Sequence, residues 1–321
     1  MNLTDKRFQD IDEARKWFEA QRWPNGPWCP HCGNAYPDRI TALHGKAHRA
    51  GVYQCNEAEC RLQFSVTVGT VMERSKIPLN KWLLAMHLMA SSKKGVSAHQ
   101  LHRTLAITYQ SAWFLAHRIR EAMKDMDTTP MGGEGKVIEA DETYYGRLET
   151  PRQPSPRTVP SKSGRKHGSS QKRIIFGLVE RGGKVRTFHV KSATAFDVRN
   201  IIVRNVSRKS AFHTDEANIY MELGKEFATH QTVTHSKDEY VRGGVHTNTV
   251  ENVWSVFKRG MKGIYQHCGE AHLHRYLAEF TFRYNNRSAL KINDTERAQN
   301  IAKGIEGKRL TYRRIGQAAY Q

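Results

Sequence analysis

The chain has 321 residues and carries 51 Lys and Arg against 31 Asp and Glu, a formal net charge of +20. This length allows two or three domains, and the positive charge favours nucleic acid as the partner, because each Lys or Arg that neutralises a phosphate releases a counterion. The longest apolar stretch, 82–90, is too short to span a bilayer, and the charged N-terminus argues against a secretory signal. We therefore expect a cytoplasmic protein with no membrane partner.

The N-terminal part has the pattern of a small metal-binding module. Residues 6–22 have apolar positions at helical spacing, and residues 63–68 alternate as in a strand. Between them stand two pairs of cysteines, Cys29 and Cys32, then Cys55 and Cys60. Four thiolates in two pairs complete a tetrahedral zinc site, so residues 1–74 predict a helix followed by a Zn²⁺-binding ribbon. His31, His44 or His48 remain alternative ligands.

Residues 75–127 predict a helical segment with a helix-turn-helix outline. Helices are expected over 79–90, 97–105 and 109–123, with Ser97 and Thr108 as N-caps of the last two. Side chains of the third helix that could face DNA are Gln110, Ser111, Trp113, His117, Arg118 and Arg120. The alternative is that Trp113, Phe114 and Ile119 form core and the charged side chains face water.

A Gly- and Pro-containing linker at 128–135 leads to a mixed α/β pattern over 136–290. Strands are predicted over 136–145, 173–180, 184–190, 210–213 and 231–234. Helices are predicted over 195–206, 249–266 and 271–285, and one begins near Glu216. The basic insertion 147–172 has four prolines and few apolar residues, so we expect a flexible loop, either solvated or clamping a DNA backbone. The basic tail 291–321 is expected to be loosely ordered.

Three acidic residues stand in recognisable settings within this α/β part. Asp141 lies in a predicted strand, where Glu139 shares its face and Glu142 points the other way. Asp215 follows a strand, and Glu251 falls in the first turn of a helix after 35 intervening residues, 216–250. Taken singly, Asp215 and Glu251 are explained as helix-terminal charges. Taken together, the three acids predict a metal site.

Carboxylates suit Mg²⁺, which prefers hard oxygen ligands. Two such ions roughly 4 Å apart can serve an in-line phosphoryl displacement. Lys258 lies two helical turns after Glu251, on the same face, where it could contact a DNA phosphate. The sequence thus predicts a phosphoryl-transfer site formed by Asp141, Asp215, Glu251 and Lys258. Trp254 and Cys268 are interpreted as packing residues, and His235 and His246 as ordinary hydrogen-bonded histidines.

Several blocks carry a family resemblance: Arg22-Trp-Pro24, Cys29-Pro-His-Cys32, Asp141-Glu-Thr143, Thr214-Asp215, the run HTNTVENVWS from His246 to Ser255, Lys258-Arg-Gly260 and Phe282-Arg-Tyr-Asn285. The chain resembles bacterial insertion-sequence transposases of the DDE class, in the branch with an N-terminal zinc ribbon and an ISXO2-like transposase domain. The resemblance implies an RNase H-like core that uses Mg²⁺ or Mn²⁺ to cleave a strand at the transposon end and join the freed 3′-hydroxyl to target DNA. It also implies a homo-oligomer on double-stranded DNA, acting at the nucleoid.

Three points stay open at this level. Members of this branch vary between Glu and Asn at the third acidic position, and Asn248 and Asn252 stand beside Glu251. A zinc-ribbon regulator without enzymatic activity would explain the charge and the cysteines but not the acids. An RNase H-like nuclease that does not transpose would share the whole pattern.

Overall fold

The computed structural model describes residues 2–150, 171–234 and 241–311. The chain forms two compact units. The first comprises Met1–Asp125 together with the C-terminal part of the chain from Asn286, and the second comprises Met126–Asn285. The second unit is therefore an insertion within the first along the chain.

The first unit begins with the predicted helix and ribbon. Helix α1 (Ile11–Arg22) starts at Asp10, whose Oδ1 accepts hydrogen bonds from the amides of Asp12 and Glu13. An antiparallel sheet of three short strands follows: β1 (Ile40–Leu43), β2 (Val52–Cys55) and β3 (Gln63–Ser65). The segment predicted as a strand over 63–68 is thus extended only as far as Ser65.

The three helices predicted after the ribbon are confirmed as α2 (Leu79–Ser91), α3 (Ala98–Leu105) and α4 (Tyr109–Ala122). Both predicted caps are present. Ser97 Oγ accepts from the Gln100 amide at 3.1 Å, and Thr108 Oγ1 accepts from the Ser111 amide at 3.2 Å. Ala106 adopts a left-handed conformation with φ of 46°, which ends α3 and makes the tight turn into α4.

The C-terminal segment is ordered where we expected a loose tail. Helix α9 (Asp294–Lys303) begins with a complete capping box between Asn293 and Glu296, and it packs against α1 and α2. Ala298, Ile301 and Ala302 bury its apolar face. The expectation was wrong for this helix, because three small or apolar residues at helical spacing suffice when a partner surface is present. Residues 312–321 lie outside the described part of the chain.

The second unit is a mixed sheet in the order β6-β5-β4-β7-β8. Its strands are β4 (Val137–Arg147), β5 (Lys172–Glu180), β6 (Val185–Val190), β7 (Ala211–Thr214) and β8 (Thr229–Thr232). The β4–β7 and β7–β8 pairs are parallel, and the β4–β5 and β5–β6 pairs are antiparallel. The predicted α/β class is confirmed, and this is the strand order of an RNase H-like core. Strand β4, which carries Asp141, lies at the centre.

Helices cover both faces of this sheet. On one face, α5 (Ala195–Asn205) and the four-residue α6 (Met221–Gly224) contribute Val198, Ile202 and Leu223 to a core with β4, β5 and β7. On the other face, α7 (Asn248–Gly260) and α8 (Leu273–Asn285) pack on β5 and β6. The helix predicted near Glu216 is thus only a 3₁₀ turn, Asn218–Tyr220, followed by α6. The basic insertion lies mostly outside the described residues, which resume at 171.

The packing of α9 predicts that Ile301→Ala destabilises the protein. Ile301 is fully buried, and removing a buried aliphatic side chain of this size costs about 2–5 kcal/mol of unfolding free energy. Urea unfolding of the full chain, followed by tryptophan fluorescence, measures the change. Lys303→Ala, at an exposed position of the same helix, should change the free energy by less than about 0.5 kcal/mol. Equal effects of the two substitutions would contradict the packing of this helix.

Candidate metal centres

The four cysteines of the ribbon converge as predicted. Their sulfur atoms all lie within 4.8 Å of one another. The Cys29–Cys60 and Cys32–Cys55 sulfur pairs are each 3.7 Å apart. A tetrahedral Zn²⁺ with Zn–S bonds of about 2.3 Å requires sulfur atoms about 3.8 Å apart, and a disulfide requires about 2 Å. The donor set therefore fits Zn²⁺, and the geometry favours Cys₄ over the histidine alternatives.

A buried arginine fixes the ribbon to the end of α1. The guanidinium of Arg22 donates to the carbonyl oxygens of Val66 and Val68 at 2.9 and 2.7 Å. It also lies over the rings of Trp23 and Trp28, 5.3 and 5.1 Å from the centroids. The Arg22-Trp-Pro24 block is thus explained by support of the metal module.

The three acidic residues are carried on three elements that meet. Asp141 lies on the central strand β4, Asp215 directly follows β7, and Glu251 lies in the first turn of α7. Because β4 and β7 are parallel and Glu139 pairs with His213, the two aspartates, each two residues further on, emerge at the same end of the sheet. All three predicted acids therefore face one region.

Their electrostatics show how close this approach is. The pKa of Asp141 is raised to about 6, first because the carboxyl group is largely buried and then because of the negative charge of Asp215, with a smaller contribution from Glu251. Such a site favours a bound cation. Asn248, the alternative third ligand, is exposed at the start of α7.

Each carboxylate also has a local hydrogen-bond donor. Asp215 Oδ1 accepts from the Ala217 amide at 3.1 Å in a local turn, but the helix that it was expected to cap is replaced by the 3₁₀ turn Asn218–Tyr220, which Asp215 does not cap. Glu251 Oε1 accepts from Thr247 Oγ1 at 3.0 Å. The three carboxylates do not form a second tight group: among the described residues, only the cysteines bring three or more ligand atoms within 4.8 Å. Carboxylates that share two ions about 4 Å apart need not converge more closely.

Trp254 does more than pack. Its ring is buried in the core under α7, as predicted, but Nε1 also donates to Asp141 Oδ2 at 2.9 Å. The ring occupies the space over Gly177, the strand partner of Asp141, where an added Cβ would lie 2.5 Å from a ring carbon. The sequence signal was available, because Trp254 stands three residues after Glu251 on the same helical face.

Glu142 adds a fourth acidic group at this end of the sheet. It faces away from α7, as the strand alternation predicts, and lies beside the buried Tyr220. Burial, together with the charges of Asp141 and Asp215, raises the pKa of Glu142 to about 7, although the nearby Tyr220 hydroxyl opposes this rise. Its Oε1 and the Tyr220 hydroxyl are buried without a hydrogen bond of normal geometry.

The remaining predicted residues fall as follows. Lys258 lies half-buried on α7, two turns after Glu251. Cys268 is buried, as its interpretation as a packing residue requires. His246 lies near Glu139, with Nδ1 3.3 Å from Glu139 Oε1. His235 lies outside the described residues.

The orientation of α4 corrects part of the DNA-facing prediction. His117 and Arg120 are buried, at 1% and 2% exposure, so the prediction was wrong for both. Gln110 is exposed and Ser111, Trp113 and Arg118 are partly so. A DNA-facing role for these four residues stays a prediction.

Two family models match the chain. The ISXO2-like transposase domain matches residues 132–285, and the transposase zinc-ribbon domain matches residues 10–63. A relative from Halobacterium salinarum, described as an uncharacterized protein in transposable element ISH50, is 29% identical over 298 residues, which span 89% of this chain and 96% of the relative.

Solved structures of Mos1 resemble the chain only distantly. The Mos1 strand transfer complex has a TM-score of 0.29 at 10% identity, covering 70% of this chain and 78% of that one. The Mos1 mariner paired end complex with Mn has a TM-score of 0.28 at 11% identity, covering 64% and 70%. In the described ranges, the chain has no helix long and apolar enough to cross a membrane.

The sulfur geometry predicts one Zn²⁺ per purified chain, bound by Cys29, Cys32, Cys55 and Cys60. Cys32→Ser should lose the zinc, because a hydroxyl is a poor replacement for a thiolate ligand. It should also lower the unfolding midpoint, since zinc binding stabilises the folded ribbon. Elemental analysis gives the stoichiometry. Cys268→Ser, outside the cluster, should retain a full equivalent, and zinc retention by Cys32→Ser would refute the Cys₄ assignment.

The raised pKa of Asp141 predicts that Asp141→Asn stabilises the protein without added divalent ions. A carboxyl group whose folded pKa lies above its ordinary 3.8 contributes stability below that value, and loses it as the pH rises through about 6. Above pH 6 the charge costs about 1–3 kcal/mol, from about 1.4 kcal/mol per pKa unit with an allowance for residual solvent contact.

Urea unfolding at pH 8 should therefore show the variant to be more stable, and the difference should shrink at pH 5. Glu222→Gln, which removes a largely exposed charge paired with Lys225 in the same unit, serves as the control with no expected pH-dependent gain. If Asp141→Asn is less stable than wild type at pH 8, the charged Asp141 carboxylate does not lower the unfolding free energy, and the prediction is wrong.

Proposed function

Because the chain belongs to the insertion-sequence transposases with a zinc ribbon and an ISXO2-like transposase domain, we propose that it binds the ends of its own element and catalyses strand cleavage and strand transfer there. The enzyme class is a DDE-type DNA transposase, a metal-dependent phosphoryl transferase. One observation carries the residue assignment: the elements holding Asp141, Asp215 and Glu251 meet at one end of the sheet, and the charges of the other two raise the pKa of Asp141.

We assign the three carboxylates as ligands of Mg²⁺ or Mn²⁺. Bound divalent ions would activate the attacking oxygen and stabilise the leaving oxygen of a phosphodiester. Asp141 and Asp215 are held by strands, and Glu251 by α7, so the ligands sit on rigid elements. The Trp254 N–H fixes one oxygen of Asp141 and leaves the other for a ligand role. The charge of Glu251 acts on Asp141, which supports Glu251 over Asn248 as the third ligand.

We assign Lys258 to a phosphate of the bound strand. It lies on α7 two turns from Glu251, where a cation can meet the backbone of DNA held at the carboxylates. Contacts between basic side chains and DNA phosphates are also proposed for the N-terminal part of the chain. The Zn²⁺ ribbon and the helices that follow it serve to bind double-stranded DNA, and the net charge of +20 over the whole chain suits such a polyanionic partner.

Strand transfer joins two transposon ends to one target, so we propose at least two protomers on DNA. We place the protein in the cytoplasm, at the nucleoid, because its substrate is chromosomal DNA. A regulator without catalysis leaves the acidic site unexplained. A nuclease that does not transpose differs from this proposal only in its products.

The assignment predicts that Asp141→Asn binds terminal-repeat DNA as wild type does but lacks Mg²⁺-dependent cleavage. Loss of a metal-ligating carboxylate should reduce the rate by at least about 10³-fold, since metal activation supplies several kcal/mol of the barrier reduction. A gel assay on labelled ends, with and without EDTA, measures cleavage and strand transfer separately. Mobility shift measures binding.

Glu226→Gln is the matched carboxylate control, because Glu226 pairs with Arg199 and Arg208 elsewhere in the same unit. It should cleave as wild type does. Full cleavage by Asp141→Asn would exclude the assignment, activity unaffected by EDTA would favour the regulator, and cleavage without joined products would favour the nuclease.

A further inference from the structure

A buried ionic cluster lies just below the three carboxylates, in the interior of the sheet. We call it the Arg181 cluster and define it as Arg181, Glu139, His213 and Thr249. Its charged members are Arg181, in the turn after β5, and Glu139, which is fully buried on β4. None of these residues belongs to the proposed ligand set.

Arg181 reaches three separate parts of the unit. Its Nε donates to Glu139 Oε1 at 2.6 Å, and Nη2 donates to His213 Nδ1 at 3.1 Å. The carbonyl oxygens of Gly244 and His246, in the segment before α7, each accept from the guanidinium at 2.8 Å. One planar group therefore joins β4, β7 and the approach to α7.

Glu139 completes the connection to α7. Its Oε2 accepts from the backbone amides of Thr249 and Val250 at 2.9 and 3.1 Å, and its Oε1 accepts from Thr249 Oγ1 at 2.8 Å. A carboxylate at this place satisfies amides of the first helical turn and interacts favourably with the helix dipole. The N-terminus of α7 is thus bound to the central strand by charge-assisted hydrogen bonds.

The hydrogen-bonding capacity of His213 agrees with this geometry. Burial, and then the charge of Arg181, lower the pKa of His213. A neutral His213 has an unprotonated ring nitrogen available, and Nδ1 accepts the Arg181 N–H. Glu139 is left with one strong cationic partner and three further donors, so its charge is fully compensated inside the protein.

The cluster and the proposed ligands are in the same register. Glu139 precedes Asp141 by two residues, His213 precedes Asp215 by two, and Thr249 precedes Glu251 by two. On the strands, a two-residue step keeps the same face. On α7, residues two apart do not share a face, but Thr249 and Glu251 lie in the same first turn, so holding the backbone at the first member of each pair also holds the backbone that carries the second.

We propose that the Arg181 cluster is the positioning device of the catalytic site: Arg181 and Glu139 set α7 against β4 and β7, and so set the spacing of the three carboxylates. This inference rests on the proposed function. Mg²⁺ demands near-ideal octahedral geometry, and ligands must be held within about 0.5 Å by the groups behind them. Loosening the cluster therefore raises the Mg²⁺ concentration that cleavage requires.

Two mild variants test this. Arg181→Lys keeps the charge but loses the planar fork, and Thr249→Val removes one hydrogen bond to Glu139 while keeping the shape of the side chain. Each should raise the Mg²⁺ midpoint for end cleavage about 10-fold, the scale typical of lost support behind metal ligands. Affinity for end DNA, measured without divalent ions, should stay within about 2-fold, since neither side chain is assigned a DNA contact.

Matched controls separate positioning from general stability. Arg283→Lys breaks the fork of the buried Arg283–Glu279 pair on α8. Thr281→Val removes the hydrogen bond between Thr281 and Thr187. Both lie in the same unit, and both should leave the Mg²⁺ midpoint unchanged even where they lower the unfolding temperature.

Wild-type midpoints in Arg181→Lys and Thr249→Val, or equal shifts in the controls, would overturn the inference. If Arg181→Lys does not fold, Thr249→Val decides alone. The wild type and Asp141→Asn, run alongside, keep the two proposals distinguishable. Lack of Mg²⁺-dependent cleavage by the wild type overturns the proposed function and this inference together, whereas normal cluster variants overturn only the inference.

Discussion

The charge of Glu139, fully buried in the sheet, is the constraint on which the second unit depends. An isolated carboxylate in such a place would cost several kcal/mol. Donors from two other elements compensate it: the Arg181 guanidinium after β5 and the first-turn amides of α7. Because these partners must all converge on one group, the relative placement of β4, β5 and α7 has little freedom. The contacts of Glu139 therefore determine both the packing of these elements and the positions of the acidic residues that they carry.

Asp141, two residues further along the same strand, differs from Glu139 because burial and neighbouring acidic groups disfavour its charge. The Trp254 N–H and a backbone amide lower its pKa, while burial and the neighbouring acids raise it. Such a group costs folding free energy in the metal-free protein, and the divalent cation that we propose it binds would offset this cost. A stability cost concentrated at a binding site is typical of functional residues. The hydrogen bonds and ion pair of Glu139 stabilise strand β4 and the start of α7, and this stability offsets the folding cost of the buried Asp141 charge.

The zinc site of the ribbon and the proposed Mg²⁺ or Mn²⁺ site differ in their ligand chemistry. Thiolates select Zn²⁺, and carboxylates suit Mg²⁺ or Mn²⁺. The ribbon brings its sulfur atoms to the separation that one tetrahedral ion requires. The carboxylates are spread across two strands and a helix, as befits a site that must admit a substrate between its ligands. Zinc binding stabilises the fold of the ribbon, whereas the proposed carboxylate site forms only once the second unit has folded.

The sequence alone was sufficient to predict helices and strands, because their apolar residues recur at regular spacing. The three helices after the ribbon and the five strands of the second unit follow from apolar spacing, caps and turn residues, and the structure confirms them as elements. Contacts between distant segments were not predictable in this way. The Trp254 bond to Asp141 depends on Gly177 lying opposite, and the Arg181 cluster depends on sheet register. The burial of His117 likewise depends on which face of α4 meets its neighbours.

The error at the C-terminal tail has a different cause and a structural consequence. Helix α9 is polar by composition, and only its contact with α1 and α2 accounts for its order. The chain leaves the first unit after Asp125 and returns to it at Asn286. Removing α9 would therefore expose part of the core of the zinc-ribbon unit, although the acidic site lies wholly in the other unit. The C-terminal helix belongs structurally to the module that begins the chain.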